Sequence, residues 1–172
     1  MDIRTQYLGM PLDVSELDVE NLAYFRHCAA HAFHLQACAA CNLLRYPPTT
    51  ACPWCASPDS SWIPVEGRGS VHSYTEVHHA IQPAFRGHTP YMVLLVDLDT
   101  QKGKPTSDEA LRVVGNLATA DGVLAAPDMV RKVGIGTRVR MVFADVAPGL
   151  ALPQWTIDES ATQPAPWRYP QE

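Results

Sequence analysis

Apolar and polar residues alternate along much of the second half of the chain, in short runs separated by glycine, proline and polar turns. Alternation with a period of two predicts β-strands, and a continuous short apolar run predicts a strand buried on both faces. The pattern predicts five strands, at residues 65–77, 91–98, 111–117, 137–143 and 154–157. The run at 91–98 is of the continuous type, and a short helix is predicted at residues 127–133.

The first predicted strand is long and carries two glycines, Gly67 and Gly69. Glycines inside a strand favour a bulge or a strong bend. Five strands within about ninety residues, one of them bent and with a short helix before the fourth, are typical of a small barrel of the OB-fold type. An SH3-like barrel is the alternative. A polar loop at residues 101–109 interrupts the strands.

The N-terminal third predicts one helix after an irregular segment at residues 1–12. Ser15 or Asp13 can cap this helix, which we expect to run to about Gln36, since acidic residues near its start favour the positive end of the helix dipole. Two apolar stripes lie on it at helical spacing: Leu22, Phe25, Ala29 and Phe33, and Tyr24, Cys28 and Leu35. Either one stripe packs on the chain's own ribbon and the other on something outside the chain, or both stripes pack within the chain.

Four of the five cysteines lie in two Cys-x-x-Cys pairs with ten residues between them. The pairs are Cys38-Ala39-Ala40-Cys41 and Cys52-Pro53-Trp54-Cys55. Each pair lets two thiolates converge from one turn, and two pairs supply the four soft ligands that Zn²⁺ prefers in a closed structural site. Disulfides, a redox pair and an iron site are the alternatives, although no secretion signal or βαβ pattern favours the first two. We therefore predict a structural zinc site.

The fifth cysteine and the histidines are predicted to have no metal-binding or catalytic role. Cys28 lies beside two alanines in the helical stretch, so we expect a small buried apolar residue. No His-Glu-x-x-His motif or acidic third ligand accompanies the histidines, which therefore predict a solvated or partner-facing patch. They are His27, His31, His34 and the later pair His78-His79.

The charge balance narrows the classes of function. The 172 residues include 13 Lys and Arg and 18 Asp and Glu, which gives a net charge of −5. A general nucleic-acid binder shows the opposite balance, and the predicted ribbon carries only Arg45 and Asp59 as charged side chains. No run approaches the roughly 18 apolar residues of a membrane span. We therefore expect a cytoplasmic protein whose apolar ribbon contacts a protein or an apolar ligand.

Five blocks occur in an order that resembles the DUF35 family. They are the two cysteine pairs, Tyr46-Pro47-Pro48, Gly67-Arg68-Gly69-Ser70-Val71 and Gly134-Ile135-Gly136-Thr137-Arg138-Val139, within residues 20–158. The resemblance implies a mostly β chain: a segment with a helix at 1–36, a rubredoxin-like zinc ribbon at 37–63, a five-stranded OB-fold barrel with a short helix at 64–159 and a proline-rich tail at 160–172. Ala56 stands where such ribbons place glycine.

The resemblance implies a non-catalytic partner of an acyl-CoA enzyme. Such enzymes are thiolases, thiolase-like acyltransferases and aldolases, and MaoC-type hydratases. The resemblance implies a hetero-oligomer in which the ribbon and helix contact the partner and the barrel lies near the acyl-CoA path. It predicts an accessory subunit that stabilises the partner and helps to shape its substrate channel. The predicted structural cofactor is Zn²⁺, and the catalytic residues are expected to belong to the partner.

Seven residues are candidates for contact with the partner or with acyl-CoA: Tyr24, Arg45, Tyr46, Trp54, Arg68, Phe85 and Arg86. The three arginines suit the phosphates of CoA, although an ordinary solvated position is the simpler interpretation. Two other classes of function are considered. OB-folds and zinc ribbons also bind nucleic acid, which the acidic balance disfavours. A stand-alone enzyme is disfavoured because the sequence shows no P-loop, nucleophile elbow or dinucleotide motif.

Overall fold

The computed structural model describes residues 3–170, so predictions that fall on residues 1–2 and 171–172 lie outside the described part. The chain starts with a hairpin of β1 (Ile3–Tyr7) and β2 (Met10–Val14). The expectation of an irregular segment is therefore wrong over residues 3–12. The two turn residues, Leu8 and Gly9, have φ values of +51° and +81°, as a type I′ turn requires, and only the glycine signals this in the sequence.

Helix α1 spans Val19–Ala29 and starts later than predicted. Neither Ser15 nor Asp13 caps it. The Asp18 carboxylate accepts a hydrogen bond from the Asn21 backbone N–H at 3.2 Å and satisfies one of the free donors of the first turn.

The helix also ends earlier than the predicted Gln36. His31 takes a φ of +52°, and its N–H donates to the carbonyl of Cys28 while the Ala32 N–H donates to that of His27. These two bonds form a Schellman ending, which usually has glycine at the left-handed position. Because a histidine fills that position here, the residue types do not mark the end of the helix.

Both apolar stripes of α1 pack within the chain. Leu22 joins a small cluster with Val14 and Leu150, whereas Tyr24 and Cys28 belong to the main core. The second of the two alternatives for the helix is therefore confirmed. The buried position of Cys28, with no exposed surface, is confirmed as well.

The ribbon is a three-stranded antiparallel sheet in the order β4-β3-β5. Its strands are β3 (His34–Cys38), β4 (Leu44–Arg45) and β5 (Ser60–Pro64). Cys38 ends β3, and the two Cys-x-x-Cys turns lie in the connections on either side of β4. The strand β3 occupies residues that the helix was expected to include.

The barrel domain is a five-stranded antiparallel sheet in the order β10-β9-β6-β7-β8. All five strands were predicted, with shifted ends: β6 (Arg68–Val77), β7 (Tyr91–Leu98), β8 (Arg112–Asn116), β9 (Arg138–Ala147) and β10 (Leu150–Ile157). Helix α2 is a single turn at Pro127–Val130, and a 3₁₀ helix covers Pro83–His88. A bulge between Val71 and Ser73 interrupts the pairing of β6 with β7, as the expected bend requires.

The two edges of this sheet approach each other at one point. Leu117, just after β8, forms a parallel bridge with Trp155 of β10, and both side chains are fully buried. The strand order with this parallel contact is that of an OB-fold, in which the sheet curls round a core. Residues of β7 alternate between buried and half-buried, so the expectation that both faces of this strand are buried is wrong.

The C-terminal tail packs on the barrel. Trp167 forms an antiparallel bridge with Ile135, and Arg168 donates hydrogen bonds to the carbonyls of Val130 and Val133. A Cβ on Gly134 would lie 2.3 Å from the Trp167 carbonyl oxygen, so only glycine allows the tail to approach. Among residues 3–170, neither α-helix is long and apolar enough to cross a membrane.

Candidate functional site

The four paired cysteines form one cluster. The Sγ atoms of Cys38, Cys41, Cys52 and Cys55 all lie within 4.8 Å of one another. The distance is 3.5 Å from Cys38 to Cys55 and 3.6 Å from Cys41 to Cys52. Four sulfurs about 2.3 Å from a tetrahedral zinc ion lie about 3.8 Å apart, so this arrangement fits the ion closely. The cluster can hold a metal such as zinc.

Backbone amides point at the sulfurs of both turns. The amides of Cys41 and Ala40 donate to the Cys38 thiolate and lower its pKa to about 6. The equivalent thiol of the second turn, Cys52, also has a lowered pKa, because the amides of Cys55 and Trp54 outweigh the opposing effect of desolvation. These donors favour the deprotonated forms of Cys38 and Cys52, the forms that bind metal ions. Neighbouring sulfurs and desolvation instead raise the pKa of Cys41 and Cys55.

Each turn ends in a residue with left-handed backbone conformation. Asn42 and Ala56 both have a φ of +60°, and their N–H groups donate to the carbonyls of Cys38 and Cys52 at 2.9 Å. Asparagine tolerates this conformation, whereas alanine pays a cost of about 1–2 kcal/mol. The missing glycine at position 56 therefore leaves the geometry of the turn intact and strains its backbone.

Arg45 lies inside the ribbon, with 3% of its surface exposed. Its Nε donates to the Gln36 side chain at 2.9 Å, and its Nη2 donates to the Thr49 carbonyl and the Ser60 hydroxyl at 2.9 and 3.1 Å. The guanidinium thus connects β3, β5 and the segment that follows β4. Its Nη1 is buried and has no hydrogen-bond partner among the described residues.

The aromatic candidates differ in exposure. Tyr24 is 3% exposed and packs against Phe33, Tyr46 and Trp62, and burial raises the pKa of its hydroxyl. Tyr46 is half-buried beside it, and burial raises its pKa as well. Trp54 is 44% exposed in the second Cys-x-x-Cys turn and is the aromatic side chain of this group that faces solvent. Contact of these residues with a partner stays a prediction.

The other three candidates lie away from the metal cluster. Arg68 donates to the buried Asp158 and to Ser160, which link β6 to the end of β10. Phe85 and Arg86 belong to the 3₁₀ helix, where Phe85 packs against Tyr91 and Arg86 is exposed. The structure therefore does not bring the seven candidates together at one site.

The N-terminal histidines separate into two environments. The rings of His27 and His34 stack at a centroid distance of 4.1 Å. Desolvation, with a contribution from the neighbouring His34, lowers the pKa of His27. His31 instead stacks on Phe143 and contacts the Asp145 carboxylate at 2.8 Å. Among the described residues, these three histidines form no cluster of metal ligands.

A cavity of about 200 Å³ lies between the ribbon and residues 101–112; we call it the ribbon–loop cavity. Its lining includes Arg45, Trp54, Lys104, Glu109 and Arg112. The sequence predicts only an interrupting polar loop over residues 101–109 and does not indicate this cavity. Only the polar character of the loop was visible in the sequence, because its position beside the ribbon depends on tertiary packing.

Comparisons with known proteins give consistent matches. The family described as "ChsH2, C-terminal OB-fold domain" matches residues 62–144. A Thermomonospora curvata protein named "Probable enoyl-CoA hydratase alpha subunit" is 37% identical over 134 residues, which cover 78% of this chain and 36% of that protein. The chain therefore spans about a third of this relative's length.

A solved structure gives a match over nearly the whole of its chain. It is described as "Ltp2-ChsH2(DUF35) aldolase", is 33% identical, and superimposes with a TM-score of 0.64 over 84% of this chain and 98% of that one. The OB-like strand order, the four-cysteine cluster and this match agree with the blocks found in the sequence. The chain belongs to the DUF35 family.

Proposed function

We propose that this chain is a non-catalytic accessory subunit of an acyl-CoA-processing enzyme. The observation that carries the proposal is the match to 98% of a DUF35 chain in a structure described as an aldolase together with Ltp2. The similarity to a probable enoyl-CoA hydratase alpha subunit supports the same chemical class. The names of both relatives describe parts of larger enzymes: one is an alpha subunit, and the other is an aldolase named for Ltp2 and ChsH2. A hetero-oligomer is therefore the expected state of this chain.

The partner is expected to be a thiolase-like enzyme, an aldolase or a MaoC-type hydratase. The aldolase has the stronger support, because the corresponding chain is matched almost completely. In the hydratase relative, nearly two thirds of the protein has no counterpart in this chain. The chain stabilises the partner and helps to shape its substrate channel, in the cytoplasm, and shares the acyl-CoA ligand with it.

Zinc is proposed as the structural cofactor, held by Cys38, Cys41, Cys52 and Cys55. A bound ion joins the two Cys-x-x-Cys turns and so fixes the ribbon. With four thiolates there is no open position for water or substrate, which agrees with a structural role. The ion then holds Trp54 at the surface of the second turn, where it can contact a partner.

The ribbon surface around Trp54 is the proposed contact region, together with the start of α1. Both apolar stripes of the helix are used within the chain, so only its N-terminal end offers apolar side chains. Leu17 and Val19 are 89% and 61% exposed there. Apolar and aromatic side chains of this kind are enriched in the centres of protein interfaces.

Nucleic-acid binding is the second candidate, and the ion pairs of the barrel disfavour it. Arg138 of β9 donates to Asp99, and Arg68 of β6 donates to Asp158. Arg112 donates to Asp97 at 2.7 Å. Side chains neutralised in this way contribute little to phosphate binding, which needs free positive charge.

The test is purification of the tagged full chain from its native host, followed by mass spectrometry of the co-purifying proteins. The proposal expects an acyl-CoA enzyme subunit in stoichiometric amount. Trp54→Ala should reduce its recovery severalfold, whereas Ile81→Ala, at an exposed apolar residue far along the chain, should not. Salt-sensitive binding of single-stranded nucleic acid without such a subunit would contradict the proposal. Equal recovery with both variants would contradict only the contact region.

A further inference from the structure

The strand β8 lies at an edge of the barrel sheet, and its outward backbone groups are free. Beyond one end of β8 the Leu117 N–H donates to the Met92 carbonyl at 2.8 Å. Beyond the other end the Leu98 N–H donates to the Leu111 carbonyl at 3.0 Å. Bonded residues alternate along an antiparallel ladder, so the odd-numbered residues of β8 pair with β7. The N–H and carbonyl of Val114 therefore point away from the sheet, and neither has a hydrogen-bond partner elsewhere in the described chain.

The two edges of this sheet differ in their protection against pairing. At β10 the Trp155 carbonyl faces β8, so by alternation Pro153 faces the same side, where it has no N–H to offer a further strand. The five residues of β8 include no lysine and no proline, and its ladder with β7 has no bulge. Its charged residue, Arg112, is bound by Asp97, and Val114 in the middle is apolar and 46% exposed. An unprotected edge of this kind is a template for a strand from another chain.

Two cavities meet at Val114 and border this edge; we call them together the β8 groove. One, of about 250 Å³, opens between β8, Tyr46 of the ribbon and Leu152 of β10. The other, of about 300 Å³, lies over β6 and β7. Val93 and Val114 belong to both linings, and the described residues of the two linings include no charged side chain. A strand added to β8 would therefore lay apolar side chains into the groove.

The occupant that fits the edge and the groove is an extended peptide segment. An acyl chain would displace water from the N–H and carbonyl of Val114 without replacing its hydrogen bonds, whereas a strand supplies both partners. A second copy joined through β8 alone would pair five residues, far fewer than the roughly 20–30 residues a side of a stable interface. The chain's own tail is docked elsewhere, since Trp167 pairs with Ile135.

We propose that an extended segment of the partner enzyme subunit docks on β8 as an added strand, bonded to the backbone of Val114. Its side chains on the groove side are apolar and uncharged and recur with a period of two. The segment belongs to the proposed partner, so this docking mode rests on the proposed function. The β8 groove also continues the proposed contact region, because Tyr46 lines both the groove and the ribbon–loop cavity that Trp54 borders.

The test compares hydrogen exchange of single amides in the full chain alone and in its complex with the co-purified acyl-CoA enzyme subunit. In the free chain the Val114 amide should exchange quickly, and the amides of Val113 and Gly115, which bond β7, should exchange slowly. In the complex the exchange of the Val114 amide should slow by about tenfold or more.

Two variants at one position isolate the backbone bond. Val114→Pro removes the outward N–H and leaves the bonds of the odd-numbered residues to β7 in place. Its affinity for the subunit should fall about tenfold or more. Val114→Thr is the matched control, because it keeps the shape and the N–H, and its affinity should fall by about threefold at most. The exchange measurement on the unaltered protein decides even if the proline lowers the stability of the chain.

The outcomes separate two failures. If no acyl-CoA enzyme subunit co-purifies, the proposed function fails and the docking mode fails with it. If the subunit binds while the Val114 amide exchanges as fast as in the free chain, or if both variants bind equally well, only the docking mode is overturned. Protection of Val114 in the chain alone that rises with its concentration would make a second copy the occupant and would likewise overturn it.

Discussion

The side-chain amide of Gln101 pairs with both backbone groups of Leu44. The Leu44 N–H donates to Oε1 at 2.6 Å, and Nε2 donates to the Leu44 carbonyl at 3.1 Å. Leu44 belongs to β4, an edge strand of the ribbon, so the glutamine side chain takes the place that a further strand would occupy. One side chain of a polar loop thereby fastens the ribbon to the barrel domain.

Gln101→Ala should loosen this junction. Loss of the amide leaves the N–H and carbonyl of the buried Leu44 without partners, which costs about 1–3 kcal/mol. Hydrogen exchange of the Leu44 amide should accelerate accordingly, and urea unfolding should show the lower stability. The neighbouring exposed residue provides the control: Lys102→Ala should leave both measurements unchanged. Unaltered exchange at Leu44 in Gln101→Ala would show that the two bonds contribute nothing.

Ala56→Gly should stabilise the ribbon. The left-handed conformation at position 56 costs alanine about 1–2 kcal/mol. Glycine avoids this cost and loses about 0.5–1 kcal/mol through its more flexible unfolded state, so a net gain of about 0.5–1 kcal/mol is expected. Ala39→Gly is the matched control, since Ala39 has no positive φ, and it should destabilise. The measurement is thermal unfolding of the original protein and of both variants. Equal or lower stability of Ala56→Gly than of the original protein contradicts the prediction.

Asp158 should make stability depend on pH in the acid range. The Ser160 hydroxyl first, and then Arg68, hold the pKa of this buried carboxyl below its usual value. Its contribution is therefore complete above the pKa of an unfolded aspartate, near 3.9, and is lost as the pH falls through the lower folded-state value.

Asp158→Asn should remove this dependence. The variant should be less stable at neutral pH by about 1–3 kcal/mol and should lose less additional stability between pH 5 and pH 3. Asp121→Asn, at an exposed carboxylate, should show the same pH dependence of stability as the original protein. Urea unfolding at a series of pH values measures this, and parallel curves for Asp158→Asn and the original protein would refute it.

His27, whose ring stacks on that of His34, should resist protonation. Because desolvation and the neighbouring His34 lower the pKa of His27, the unfolded chain binds the proton more readily than the folded one. Stability contributed by this residue is thus complete above pH 6.5 and falls at lower pH. His34→Asn should raise the pKa of His27, followed through its ring proton signals in NMR, whereas His79→Asn should not. An unchanged His27 titration in His34→Asn contradicts the contribution of the pair.

Zinc content should depend on the four clustered cysteines and not on Cys28. Cys41→Ser should lose the bound metal and the ordered ribbon, because zinc binding contributes folding free energy on the order of 10 kcal/mol in small modules. Cys28→Ala should retain one zinc ion per chain and lose about 1 kcal/mol of stability from its buried position. Burial raises the pKa of the Cys28 thiol to about 12, which keeps it protonated. Elemental analysis of both purified proteins is the measurement, and zinc retained by Cys41→Ser contradicts the assignment.

The sequence predicted the features that local residue patterns encode. Alternation and short apolar runs indicated all five strands of the barrel domain, and the spacing of the cysteines indicated a cluster that the structure brings within 4.8 Å. The prediction of the helix end was wrong because His31 takes the left-handed position that glycine usually fills. The hairpin of β1 and β2 was missed because only one of its two turn residues is a glycine.

Short motifs and their order along the chain therefore determined the fold class, the four-cysteine cluster that can hold a metal, and the family. Tertiary structure alone decided which side chains meet across the domains. Gln101 and Leu44 are 57 residues apart, and Arg45 loses solvent only when the ribbon closes round it. Contacts of this kind depend on how separate elements pack, and no local pattern of polar and apolar residues records that packing.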